Sequence, residues 1–184
     1  MKKVIVVNGR PRAGKDTAIA FMQGILQEHR IASMQFSSID PVRDVVQRLG
    51  IDVSAKTPAD RALLAEIGSS VEKHSGYRSK VCLTEALRFF ASHSKAVVFL
   101  HIREPAMIET VAAGLDRIAK IDLISVLVES ERSEHVTSNA ADMGVERLSY
   151  NAKLSNHGSL PLLEANCRCL LHTLGLLNDE PRLL

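Results

Sequence analysis

The chain has 184 residues, 46% of them apolar, with no Trp and a formal net charge of +2 at pH 7. That length suits one domain, 1–184, around an aliphatic core. The charge balance gives no case for a nucleic-acid partner, and no apolar run approaches a membrane span. Cys82, Cys167 and Cys169 are odd in number and lack a framework spacing. The apolar run after Met1-Lys2-Lys3 is too short for a signal peptide, so a reduced, cytoplasmic setting is expected.

In chain order, the first predicted strand runs from Lys3 to Val7. It is followed by Gly9-Arg10-Pro11-Arg12-Ala13-Gly14-Lys15-Asp16-Thr17. This stretch fits G-x-x-x-x-G-K, the P-loop or Walker A pattern, with Asp16 where Ser or Thr usually follows the lysine. Two glycines let such a loop turn successive N–H groups inward around phosphate oxygens, and the next helix aims its positive end at the same place. The same letters also occur in purely structural turns. Here the flanks favour phosphate: β-branched residues precede the loop, and Ala18, Ile19, Met22, Ile25 and Leu26 follow at helical spacing in a helix from about Gly14 to His29.

Further strands are expected at Ile31 to Phe36, Ala96 to His101, Leu123 to Val128 and about Ala152 to Ser155, so the fold class is α/β with a five-stranded parallel sheet covered by helices on both faces. Between the second and third strands lie three helical patterns, Pro41 to Leu49, Pro58 to His74 and Ser79 to Ala91, where a simple crossover needs one. The surplus predicts a helical lobe over residues 40–94. A helix begins near Glu104-Pro105 and buries Met107, Ile108, Val111 and Ala112. The polar stretch from Glu129 to Glu146 is long for a connection and reads as a lid. The last helix runs from about Leu160 to Leu174, with Ser159 as its cap. Leu160, Leu163, Cys167, Leu170, Leu171 and Leu174 form its apolar stripe.

A P-loop presents a phosphoryl donor, and transfer needs the moving charge neutralised by Lys, Arg and Mg²⁺. Ser37, Asp40 and Arg43 follow the second strand, and Arg103 follows the third, all at the carboxyl edge where open α/β sheets bind ligands. Arg43 and Arg103 can fork onto a phosphate. The plainer readings are a solvated Arg43 beside a capping Asp40, and a pair of surface charges at Arg103 and Glu104. The lid contains Arg132, with Arg147 at its far end; either can swing onto the phosphates on closure, and the plainer reading is a solvated mixed-charge face shared with Glu129, Glu131, Glu134, Asp142 and Glu146. Tyr77 and Arg78 are either substrate contacts or a surface pair. No histidine has a zinc-ligand spacing.

These residues resemble the nucleoside monophosphate kinase superfamily of P-loop kinases, most nearly the phage-type deoxynucleoside monophosphate kinases. Phosphomevalonate and adenylate kinases are more distant. Gly14-Lys15-Asp16-Thr17 is similar to their G-K-D start, Arg61 to Gly68 to an R-x-L-x-x-x-G helix, and Asn156-His157-Gly158-Ser159-Leu160 to an N-D-G-S-L turn. Ser37 to Arg43 is similar to the S-T-G-D-x-x-R of adenylate kinases.

The resemblance implies ATP, held by Gly9, Arg12, Ala13, Gly14, Lys15, Asp16 and Thr17, with Asn156 and Gly158 near its adenine. It implies a small phosphorylated acceptor, a (deoxy)nucleoside monophosphate, on Ser37, Asp40, Arg43 and Arg103. Lys15, Arg103 and Arg132 would be catalytic, and Mg²⁺ would sit at Asp16 and Thr17. Two departures stand out. His101 occupies the place of an acidic residue that holds Mg²⁺ through water, and Glu129 that of an arginine. His101 and the acid-rich lid motivate the alternative of a nucleotide-binding protein with weak or no kinase activity. Acceptor identity and oligomeric state are not specified by the sequence.

Overall fold

The computed structural model describes residues 1–131 and 149–177. Within them β1 (Lys2–Asn8), β2 (Ala32–Ser37), β3 (Ala96–His101), β4 (Leu123–Glu129) and β5 (Ala152–Ser155) form one sheet in the order β2-β3-β1-β4-β5. Every pairing is parallel. The helices among the described residues are α1 (Lys15–Glu28), α2 (Asp40–Arg48), α3 (Pro58–Ser75), α4 (Tyr77–Ser92), α5 (Pro105–Ala119) and α6 (Leu160–Thr173). The expected α/β class and five-stranded parallel sheet are therefore observed, with element ends within a residue or two of the sequence reading.

Alternation along the strands builds two cores. Ile5 and Val7, with Phe99 and Val128, face α1 and α6, where Ile19, Met22, Leu26, Leu163 and Leu171 are buried. Val4 and Val6, with Val98 and Leu100, face α4 and α5, where Cys82, Phe90, Met107 and Leu115 are buried. Burial on both sides explains why these strands read as unbroken apolar runs. α4 thus supplies the crossover helix on the sheet. The surplus helices are α2 and α3, which gather Val42, Val46, Val53 and Leu64 into a small cluster of their own. α3 is well delimited. Thr57 and Asp60 form a reciprocal capping box, Pro58 occupies the first turn, and Gly76 ends the helix at φ 63°.

Two details of α6 correct the sequence reading. Leu160 is 61% exposed, so the buried stripe is Leu163, Cys167, Leu170 and Leu171. Ser159 does stand at the N-cap, but its side chain makes no capping hydrogen bond. Cys167 faces inward and Cys169 outward, as their two-residue spacing requires.

No helix among the described residues is long and apolar enough to cross a membrane.

Candidate active site

The loop between β1 and α1 follows its glycines. Gly9 has φ 153°, and a Cβ there would lie 2.6 Å from the Val128 carbonyl oxygen of β4. Gly14 has φ 86° and ends the loop in the left-handed region just before α1. The Lys15 ammonium donates to the carbonyl oxygens of Gly9 and Arg10, each at 2.8 Å, and so closes over the loop. Asp16 and Thr17 are exposed on the first turn of α1, where their oxygens suit a hard cation. Ala13 is fully buried under the loop and Arg12 is exposed at φ 61°.

The next two turns lie along the same sheet edge. After β2, the Asp40 carboxylate accepts from the Ser37 backbone N–H at 3.1 Å and is ion-paired with Arg43. Arg43 is therefore neither loose nor fully solvated: its guanidinium is held by the turn from which its helix starts. After β3, Arg103 is exposed and Glu104 is the N-cap residue of α5. The turns are joined by the Ser38 N–H, which donates to the His101 carbonyl oxygen at 3.2 Å.

His101 lies where these segments meet. Burial lowers its pKa below the usual 6.5. Asp16 and Asp40 oppose that shift and Lys15 and Arg103 reinforce it, with burial the largest cause. Four side chains singled out from the sequence, from the P-loop helix, α2 and the β3–α5 turn, are thus within electrostatic reach of one ring.

Sequence reasoning missed the strongest side-chain cluster at this edge. Arg78, on the first turn of α4, is 4% exposed. Its Nε donates to the Ser38 carbonyl oxygen at 3.2 Å and its Nη2 to Ser38 Oγ at 2.8 Å. Its two terminal nitrogens fork onto the Glu104 carboxylate at 2.8 and 3.3 Å. Burial alone would raise the Glu104 pKa. The Arg78 hydrogen bonds and charge, with backbone donors at Glu104 and Arg103, together outweigh burial and hold the carboxyl below its usual range. Arg78 is thus not the surface residue or substrate contact that the sequence allowed, whereas Tyr77 beside it is 39% exposed. Residues 38, 78 and 104 share no local spacing, so only the fold brings them together.

On the other side of the loop, Asn156 ties two segments. Its backbone N–H donates to the Glu129 carbonyl oxygen at 2.7 Å, and its side-chain amide donates to the Ala13 carbonyl oxygen at 2.9 Å. A Cβ at Gly14 would lie 2.4 Å from that amide nitrogen. Gly158 packs closely on Leu162. Glu129 is paired across the strands with Lys153 at 2.7 Å, which gives this carboxylate a structural partner where the resemblance expects arginine. Arg132, Arg147 and most of the stretch read as a lid lie outside the described residues.

Burial pushes the Cys82 thiol up to about 12, so it is a protonated core side chain. Surface concavities along α6, near Arg168 and His172, and between α1 and β2, near Gln23 and Gln27, include no residue of the 9–17 loop.

No family model matches the chain, and no curated protein matches it. Solved structures do. One is the Mycobacterium tuberculosis APS kinase CysC in complex with AMPPNP and APS, with a TM-score of 0.53 and 12% identity, covering 95% of this chain and 98% of that one. Another is a presumed kinase from Chloroflexus aurantiacus j-10-fl, with a TM-score of 0.52 and 15% identity, covering 95% and 96%. At this identity the likeness establishes the fold alone, a parallel α/β fold shared with these two kinases.

Proposed function

We propose that the chain transfers the γ-phosphoryl group of ATP to a small phosphorylated acceptor, a (deoxy)nucleoside monophosphate. The observation that carries the reading is the shared sheet edge: β2, β3 and β1 are parallel neighbours, so the loop closed by Lys15 and the two arginine-bearing turns follow their carboxyl ends on one side. A protein of the same fold binds AMPPNP and APS in one complex, so the fold accommodates two nucleotides at once. In this account Lys15 and the loop amides hold the β- and γ-phosphates, while Arg43 and Arg103 hold the acceptor phosphate. An acceptor oxygen attacks the γ-phosphorus in line, the bond to the β–γ bridging oxygen breaks, and ADP leaves. The attacking oxygen is already anionic, so no general base is required.

Asp16 and Thr17 offer the hard oxygen donors that Mg²⁺ takes alongside waters and phosphate oxygens. When bound, Mg²⁺ supplies neutralisation of the phosphate charge. The cytoplasm is the setting proposed for this chemistry.

One observation favours a second reading, a nucleotide-binding protein with little transfer activity: His101 is a poor Mg²⁺ ligand at a position that the resemblance gives to a carboxylate. A coupled assay of ADP formation over AMP, GMP, CMP, UMP and dTMP, with calorimetry of ATP binding, separates the two. Acceptor-dependent ADP formation supports transfer; ATP binding without turnover supports the second reading.

A further inference from the structure

We infer that Arg78 is the positioning residue of the acceptor side of the site: it fixes the separation of the Arg43-bearing and Arg103-bearing turns and ties both to the helical lobe. What that separation serves rests on the phosphoryl-transfer reading above; the clamp itself stands on contacts.

A guanidinium offers five donors in a rigid plane. In Arg78 they reach both turns at once, through Ser38 on one side and Glu104 on the other. Ser38 lies two residues before Asp40, the partner of Arg43, and Glu104 directly follows Arg103. Ser38 is also bonded to the end of β3 through the His101 carbonyl, so three elements converge on it. With its side chain 5% exposed, Arg78 is too covered to be a substrate ligand.

The lobe reaches the same clamp. The Glu72 carboxylate near the end of α3 accepts from the backbone N–H groups of Arg78 at 2.8 Å and Ser79 at 3.1 Å, and from the Ser79 hydroxyl. It thereby caps α4 and fixes the root of the Arg78 side chain. Gly68 of α3 seats the turn from above. A Cβ there would lie 2.9 Å from Ile39 Cδ1 and 3.5 Å from the Arg78 side chain. The path runs from α3 through Glu72 to the first turn of α4, then through Arg78 to both arginine-bearing turns. A lysine keeps the charge but cannot span Ser38 and Glu104 together.

The test uses Arg78→Lys and Glu104→Gln in the full chain, with Ser38→Ala as the mildest member should either fold poorly. Hydrogen exchange read by mass spectrometry is expected to accelerate about tenfold or more in peptides covering 36–43 and 101–106, with the P-loop peptide 9–17 within about twofold of wild type. In the transfer assay, with whichever of AMP, GMP, CMP, UMP and dTMP the wild type turns over fastest, the acceptor KM rises about tenfold or more while the ATP KM stays within about twofold. Unchanged exchange in either turn, or equal changes at the P-loop and in both KM values, overturns the inference and leaves Arg78 a general stabiliser. Absence of wild-type turnover with all five acceptors contradicts the proposed function instead, and the exchange pattern still decides the clamp.

Discussion

Lys15 shows what a single residue contributes here. Its ammonium closes on the Gly9 and Arg10 carbonyls, so the charge stays over the loop. Lys15→Ala is expected to leave the fold intact and lower turnover about a hundredfold or more, because it removes a preorganised charge from the transferring group; kcat beside a thermal melt checks both halves. His101 makes a separate prediction about pH. Its folded-state pKa is lowered by burial, so between that value and the ordinary 6.5 the unfolded chain binds more protons than the folded one. The contribution to stability is therefore intact above pH 6.5, falls as pH drops through the folded-state pKa, and levels off below it. Urea midpoints measured from pH 7.5 to pH 5 should show this slope, and His101→Gln should flatten it.

At the scale of elements, the glycines separate two physical roles. Gly24 lies inside α1 with nothing within 4 Å of where a Cβ would be. Gly24→Ala is expected to stabilise the chain by about 0.5–1 kcal/mol through backbone entropy, or about 1–4 °C in Tm for a chain of this size. Gly9→Ala meets the Val128 carbonyl and should destabilise; the two melts compared on one day test the contrast. Asn156→Ala removes the amide that holds the Ala13 carbonyl. It should cost about 1 kcal/mol and weaken ATP binding in calorimetry, with little effect on the acceptor KM.

The same elements show what was legible in the sequence. α1, β1 and β3 were readable because their patterns are imposed locally, by a 3.6-residue period or by burial on both faces. The P-loop was readable because its glycines answer to backbone geometry within nine residues. The exposure of Leu160 was not, since an apolar residue at the right period is buried only if something packs on it. The Arg78 cluster was also illegible. Its partners lie 40 and 26 residues away, and nothing in a helix start marks an arginine that will turn inward.

Across the whole molecule, the parallel sheet sends β1, β2 and β3 to one edge, so three separate loops deliver Lys15, Arg43 and Arg103 to the same side. The two-sided core holds that edge, while α2 and α3, with their own small apolar cluster, stand beside it. Such an arrangement suits a rigid donor site next to an acceptor site held by a separately packed lobe, a division that the ion pair of buried Arg78 with half-exposed Glu104 joins. In the proposed function this edge moves a phosphoryl group between two bound phosphates. The most direct measurement uses ATP labelled at the γ-phosphate, with Mg²⁺ and each monophosphate in turn, following label into the acceptor. The account predicts label in a nucleoside diphosphate with wild type and its loss in Lys15→Ala. Folded wild-type protein that binds ATP yet transfers label to no monophosphate would contradict it.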